Sequence, residues 1–175
     1  AESGAQHILD AMNKGTSVEQ IYKATQLLKA HGIRVGFFLQ FGYLGETKED
    51  IDKTIQMVKD LVPDDIGISV SYPLPGTKFY DKVKAQLQDK QNWTDSDDLA
   101  MMYRGTFSPA FYRRLHRYVH KVFRLQQGWE NFNSLLTKPT SISKWKLRSV
   151  LATAYYLPAM FIDRLRLRQL ETDQS

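Results

Sequence analysis

The chain has 175 residues, a net charge of +5 and a hydrophobic fraction of 42%, which is enough for one domain, or for one small domain plus an extension. It contains no cysteine, and this excludes disulfides, thiolate zinc sites and a Cys-ligated iron–sulfur cluster within these residues. Residues 1–103 carry 11 Lys/Arg against 15 Asp/Glu, whereas residues 104–175 carry 13 against 4. This asymmetry predicts two modules, the second facing an anionic or more acidic surface.

Apolar residues at helical spacing predict three helices in the first half of the sequence, the first over residues 5–14. The second helix begins after Ser17, which has Gln20 three residues on and so fits a capping box. The third begins after Thr47 and has an acidic residue at the equivalent position. We expect both to bury an apolar stripe. The stripes are Ile21, Ala24, Leu27 and Leu28 in the second helix, and Ile51, Ile55, Val58 and Leu61 in the third.

Two apolar runs, residues 33–41 and 66–72, predict buried parallel strands, and a short helix is predicted over residues 77–87. Helices that alternate with strands indicate an α/β fold with right-handed parallel crossovers. Two parallel strands do not make a stable sheet alone. We therefore expect further strands from upstream residues or from a second copy, and self-association of the isolated chain through its open strand edges.

Glycine and proline residues follow both predicted strands, in residues 42–46 and 73–77. In parallel α/β folds, ligands are held by the loops at the C-terminal ends of the strands. These two loops therefore predict a ligand site. An ordinary turn that leads into a helix cap is the equally open alternative.

Three segments resemble motifs of radical S-adenosylmethionine (SAM) enzymes, in that family's order and spacing. Residues 1–14 (AESGAQHILDAMNK) resemble the fourth-strand segment, in which G-x-E-S-G precedes a helix ending in M-N-(K/R). Residues 36–47 (GFFLQFGYLGET) resemble the fifth-strand motif, and residues 71–80 (SYPLPGTKFY) resemble the sixth-strand P-x-P-G-T motif. The resemblance covers residues 1–87. It is strongest to the subgroup whose members often carry an upstream cobalamin-binding domain and act as methyltransferases or cyclases.

The resemblance implies the C-terminal part of a partial (β/α)6 TIM-like barrel over residues 1–90, followed by a basic α-helical extension over residues 91–175. It implies reductive cleavage of SAM to a 5′-deoxyadenosyl radical by a 4Fe-4S cluster, with cobalamin-dependent methyl transfer or cyclisation as an open addition. The family's cluster-binding C-x-x-x-C-x-x-C motif does not occur in this sequence. We therefore expect the chain to come from a longer enzyme whose N-terminal half holds the cluster, and to be inactive alone. The substrate, small or lipid-like, is not specified.

Three of the implied SAM-binding residues belong to the fourth-strand segment. The resemblance places Glu2 and Ser3 near the ribose or the amino group of SAM. It places Lys14 where a cation faces the methionyl carboxylate and neutralises a partly buried anion.

The remaining implied residues follow the other two strands. Phe38 and Gly42 match positions that flank the adenine, the first by apolar contact and the second by backbone hydrogen bonds. Glu46 matches the motif's glutamate, for which we expect a structural role in the loop, and Leu44 stands where the family usually has proline. The residues that match the sixth-strand loop beside the adenine are Pro73, Pro75 and Gly76.

Two clusters in the second half are candidate metal sites. Asp95, Asp97 and Asp98 have the chemistry of a hard-cation site, but a solvated acidic turn is favoured. His116 and His120 lie four residues apart on a helix predicted from Ser108 to about residue 127, a spacing that lets two imidazoles share a metal. Arginine and lysine residues surround them, so a basic helix face is favoured and no metal is assigned.

The last segment, residues 142–170, is predicted to be helical, with a kink or a division at Pro158. Its apolar stretch 150–162 is flanked by basic residues and is too short to span a bilayer, which needs about 20 residues. It fits a membrane interface, although packing against the rest of the parent enzyme is favoured. A non-catalytic basic module that docks on a membrane or a protein partner is thus the alternative to the enzyme. Nucleic acid is not favoured, and we expect a cytoplasmic protein, peripheral to the membrane if this helix binds one.

Overall fold

The computed structural model describes residues 1–87, 103–137 and 142–172, so Asp95, Asp97 and Asp98 lie outside the described residues. Its elements are, in chain order, α1 (Gln6–Ala11), α2 (Val18–Ala30), β1 (Gly36–Phe41), α3 (Lys48–Leu61), β2 (Asp65–Val70), α4 (Lys78–Val83) with a 3-10 turn (Lys84–Gln86), α5 (Pro109–Thr137) and α6 (Lys144–Thr172). The architecture is a mixed α/β arrangement, as predicted.

Strands β1 and β2 form a parallel pair, with Gly36 opposite Asp65 and Phe41 opposite Val70. Helix α3 connects them, which confirms the predicted parallel crossover. The first residues of the chain lie along the other edge of β1, where the Gln40 N–H donates a hydrogen bond of 2.9 Å to the Glu2 carbonyl. Closure of the sheet into a barrel and self-association through its edges stay predictions.

One face of β1 is buried and the other is open. Phe37, Leu39 and Phe41 point into the hydrophobic core, whereas Phe38 between them is 71% exposed. The sequence predicted a strand buried throughout. The structure differs because helices cover one face of the pair, and no described residue covers the face that carries Phe38.

Both predicted capping boxes are present. The Ser17 hydroxyl accepts from the Gln20 N–H and the Gln20 side chain accepts from the Ser17 N–H; Thr47 and Asp50 make the same reciprocal pair. The predicted apolar stripe of α3 is buried. The predicted apolar stripe of α2 is not fully buried: Leu27 is 58% exposed and lines an open cavity of about 520 Å³.

Helices α5 and α6 pack against each other as a long helical hairpin, and the core side of α5 is buried against the sheet layer. Helix α5 continues ten residues past the predicted end at residue 127. Gly128, which sequence propensity disfavours in a helix, faces Ser149 and Thr153 of α6, so close packing stabilises this part of α5. Helix α6 is not divided at Pro158.

One hydrophobic core includes residues of β1, α3 and α5 together. The predicted domain boundary near residue 90 falls outside the described residues, so the division into 1–90 and 91–175 stays a prediction. Among the described residues, no helix is both long enough and apolar enough to cross a bilayer.

Candidate functional site

A cavity of about 420 Å³ opens where β1 and β2 end at their carboxyl sides. Its lining combines the end of α1, the end of β1, and the loop that leads from β2 into α4. Its lining includes Lys14, Gln40, Tyr43, Tyr72 and Leu74. This is the edge of the sheet at which a parallel α/β fold holds its ligands.

Glu2 and Lys14 meet at the border of this cavity. The Lys14 ammonium lies 2.8 Å from the Glu2 carboxylate, and both side chains are about one-third exposed. Asn13, at the end of α1, has a left-handed φ of 56°, which turns the chain towards this pair. The structure thus brings together two of the residues that the resemblance assigned to SAM, Lys14 to the methionyl carboxylate and Glu2 to the ribose or the amino group.

Ser3 is buried on the side of α3. Its hydroxyl lies 3.3 Å from the Thr54 hydroxyl and accepts a hydrogen bond of 3.1 Å from the Ala5 N–H. The next residue, Gly4, packs directly against the backbone of α3 at Lys53. These contacts fix the position of Glu2; contact of Ser3 with a ligand stays a prediction.

The loop after β1 is held by a buried carboxyl group. Glu46 is fully buried and accepts a hydrogen bond of 2.6 Å from the Gly42 N–H, while Tyr103 donates to the Gly42 carbonyl. Gly42 has a φ of +79°, a conformation that other residues seldom adopt. Burial raises the pKa of Glu46 to about 8, against the lowering effect of the Gly42 bond. The second oxygen of Glu46 has no hydrogen-bond partner among the described residues.

Phe38 forms an aromatic surface on the open face of the sheet. Its ring lies across Gly67 of β2, where an added Cβ would come within 3.1 Å of the ring. Gln40, two residues further along β1, lies on the same face and reaches the cavity. An exposed ring beside a polar side chain can hold a flat heteroaromatic group.

The loop after β2 carries the three residues that match the sixth-strand motif. Pro73 is buried, whereas Pro75 and Gly76 are exposed, and Gly76 has a φ of +83°. The Thr77 hydroxyl donates to the Leu74 carbonyl at 2.7 Å and caps α4. Leu74, rather than the prolines, lines the cavity.

Most of the lining residues were not among the predicted site residues, and Gln40, Tyr43 and Tyr72 are three of them. Gln40 had a signal, because it is the one polar side chain in the sequence of β1, GFFLQF. Tyr43 is buried, stacks on Phe79 at 4.7 Å and donates to the Ala11 carbonyl at 2.8 Å. That contact joins the loop to α1, and no sequence pattern indicates it.

His116 and His120 lie with their rings 4.5 Å apart on α5. Burial lowers the pKa of both, and nearby arginines, Arg117 and Arg124, lower it further. In the ranges that the structure describes, no group of three ligating side chains surrounds a possible metal position. Both histidine side chains are partly buried on α5.

No family model matches the chain. It is similar to a protein named as a methylthiotransferase from Methanocaldococcus jannaschii, with 35% identity over 47% of this chain and 18% of that protein. It is also similar to an anaerobic magnesium-protoporphyrin IX monomethyl ester cyclase from Rubrivivax gelatinosus, with 34% identity over 53% of the chain and 17% of the cyclase. A protein named as a methyltransferase from Pyrococcus horikoshii is 31% identical over 53% of the chain and 20% of its own length.

These are names of radical SAM family enzymes. The sequence identity to them is low, and the similarity covers only part of each chain. The chain spans about a fifth or less of the length of these relatives. The activity, substrate and partners of the whole protein are accordingly proposals.

Proposed function

We propose that this chain forms the C-terminal wall of the SAM site of a radical SAM enzyme. The observation that supports this most is the cavity at the carboxyl ends of the parallel strands, with an acid–base pair, Glu2 and Lys14, at its border. A (β/α)6 barrel over residues 1–90 and a helical extension over residues 91–175 belong to the same proposal. The low-identity similarity to enzymes with radical SAM family names agrees with it.

The side chains at the cavity fit the chemistry of SAM. Its amino-acid end carries a carboxylate and an ammonium group, which Lys14 and Glu2 would bind by exchanging their mutual ion pair for ligand contacts. The exposed ring of Phe38 offers an apolar surface to the adenine. The Gly42 N–H already donates to Glu46 and its carbonyl already accepts from Tyr103, so a ligand contact at Gly42 would use the second lone pair of that carbonyl.

A 4Fe-4S cluster supplies the electron for reductive SAM cleavage when it is bound. This chain has no thiolate to hold one, so the cluster ligands belong to the upstream part of the proposed enzyme. The role left to the described residues is to bind SAM and orient it, with Glu46 keeping the loop at Gly42 in place. Participation of cobalamin is a proposal from the resemblance alone.

Equilibrium dialysis of SAM against the complete, cluster-loaded protein tests this proposal. Lys14→Met should weaken SAM binding about 10- to 100-fold, because one charged hydrogen bond contributes about 1.5–3 kcal/mol. The matched control is Lys84→Met, which removes a similar lysine from an exposed ion pair with Asp81. The control should leave the SAM affinity within about twofold of wild type.

Hydrogen exchange supplies an independent readout. SAM should slow amide exchange in residues 36–46 of wild type, and Lys14→Met should need more SAM for the same protection. The proposal is wrong if wild type and Lys14→Met bind SAM with equal affinity and SAM leaves the exchange of residues 36–46 unchanged. The two loops would then only connect a strand to a helix.

A further inference from the structure

Helix α6 turns a continuous apolar stripe away from the protein. The stripe, hereafter the outer stripe, recurs every three or four residues and consists of Leu147, Leu151, Tyr155, Pro158, Ile162 and Leu165. All six residues are exposed, with Leu151 at 76% and Tyr155 at 65%. The opposite side of the helix packs on α5 through Thr153, Asp163 and Leu167. Met160 and Leu170 pack beside Leu167, so the inner side of α6 is largely apolar as well, and only this inner side has a partner among the described residues.

The charges beside the outer stripe are of one sign. Residues 144–172 contain six Lys/Arg and two acidic residues. Asp163 is buried against α5, and Glu171 is half-buried near Lys48, so the outward side of the helix presents no carboxylate. Arg148 and Arg166 lie on the same helical face as Tyr155 and Ile162, seven and four residues from them.

We propose that the outer stripe is a docking surface for a lipid bilayer that carries anionic headgroups. Leucine, isoleucine and tyrosine side chains would enter the boundary between headgroups and acyl chains, and Arg148 and Arg166 would contact lipid phosphates. The helix is about 43 Å long and would lie along the surface. This inference is independent of the proposed SAM site, because it uses a different surface and a different readout.

The occupant of the outer stripe follows from its charges, because only cations border it. A second copy of the chain fits less well, because two outer stripes in contact would bring arginines together without an acidic partner.

Co-sedimentation of the complete protein with phosphatidylcholine vesicles, with and without phosphatidylglycerol, tests the proposal. Wild type should bind the anionic vesicles and release them at high salt. Arg148→Gln/Arg166→Gln should weaken binding roughly thirtyfold, at about 1 kcal/mol for each arginine near the surface. The control Lys23→Gln/Lys84→Gln makes the same change in net charge on other elements and should change binding by no more than about twofold.

Removal of the apolar contacts is the second arm. Leu151→Ser/Ile162→Ser keeps every charge and alters exposed side chains, so the fold should persist while binding falls at least tenfold. The proposal is overturned if wild type ignores anionic vesicles, or if this variant binds as wild type does. It is also overturned if Lys23→Gln/Lys84→Gln weakens vesicle binding as much as Arg148→Gln/Arg166→Gln does. A dimer seen by sedimentation equilibrium, without vesicle binding, and dissociated by Leu151→Ser/Ile162→Ser would assign the stripe to a second copy.

Discussion

Arg114 of α5 donates a hydrogen bond of 2.8 Å to Asp163 of α6, and Lys121 contacts the other oxygen of the same carboxylate. Asp163 is buried, while its two partners are about one-fifth exposed. Two cations on one helix therefore hold one anion on the other. This contact fixes the register of α6 on α5.

Replacement of Asp163 by asparagine should lower the free energy of unfolding by about 2–5 kcal/mol, because two partly buried cations lose their counter-charge. Urea denaturation followed by circular dichroism measures this change. Asp52→Asn, which breaks a largely exposed pair with Lys48, should cost less than about 1 kcal/mol. Equal effects of the two substitutions would contradict the importance given to the Asp163 contact.

The same carboxylate should make this difference depend on pH. Burial alone would raise the pKa of Asp163, but the hydrogen bonds and charges of Lys121 and Arg114 lower it below its ordinary value. Its stabilisation is thus complete above the unfolded pKa of about 3.9 and is lost as the pH falls through the folded pKa. The gap in stability between wild type and Asp163→Asn should therefore close under acid conditions; a gap independent of pH would contradict this.

Glu46 predicts the opposite pH dependence. With a folded pKa of about 8, above the ordinary glutamate value, the folded chain holds a proton that the unfolded chain releases. Stability from this group is full below the unfolded pKa and is lost as the pH rises towards the folded pKa. Glu46→Gln keeps an acceptor for the Gly42 N–H and cannot ionise, so it should gain stability relative to wild type between about pH 5 and pH 8.

The measurement is urea denaturation of wild type and Glu46→Gln at several pH values across that range. Glu49→Gln is the control, because Glu49 lies only three residues away, in the first turn of α3, and its carboxylate is largely exposed. It should follow the wild-type pH dependence. Parallel curves for wild type and Glu46→Gln would show that Glu46 is ionised in the folded chain.

Gly128 sets how closely α5 and α6 approach. An added Cβ would overlap the Thr153 side chain and lie 3.1 Å from the Ser149 carbonyl. Gly128→Ala should therefore destabilise the chain by about 1–3 kcal/mol of overpacking, reduced by a helix-propensity gain of up to about 1 kcal/mol. Thr153→Ser removes the obstructing methyl group, so the double variant should recover part of the loss. Thermal unfolding of the two single variants and the double variant gives the coupling, and strict additivity would contradict the contact.

Gly4 should tolerate no side chain. A Cβ there would lie 2.6 Å from the Lys53 carbonyl oxygen, and this backbone atom of α3 has little freedom to move. Gly4→Ala should cost about 1–3 kcal/mol. Gly36→Ala is the control, because its Cβ would meet its nearest neighbour at 3.9 Å. Chemical denaturation should give Gly4→Ala a clearly lower free energy of unfolding than Gly36→Ala. Similar values would show that α3 shifts to admit the methyl group.

Local chemistry was the part of the fold that the sequence predicted well. Ser17 with Gln20 and Thr47 with Asp50 are capping pairs set by residues three apart, and the structure contains both. Burial of α3 followed from its own periodicity because β1 and β2 pack against it. The stripe of α2 has the same kind of pattern, yet Leu27 is exposed, because burial also requires a neighbour that a pattern does not specify.

Contacts between distant segments could not be predicted in the same way. The resemblance named Glu2 and Lys14 but not their ion pair, which depends on the turn at Asn13. The bond from Tyr103 to Gly42 joins residues 61 positions apart, and neither residue indicates it alone. Helix α5 continues past its predicted end because α6 packs beside Gly128.

Pro158 lies on the outward side of an unbroken helix, and its position has a cost for the backbone. Proline has no N–H, so the carbonyl of Ala154, one turn earlier, lacks its usual donor. Both residues are exposed, and water can supply the missing hydrogen bond. An unpaired backbone carbonyl is costly in hydrocarbon, where no water can donate to it. On a bilayer, α6 would therefore lie at the level of the lipid headgroups and would not insert into the hydrocarbon region.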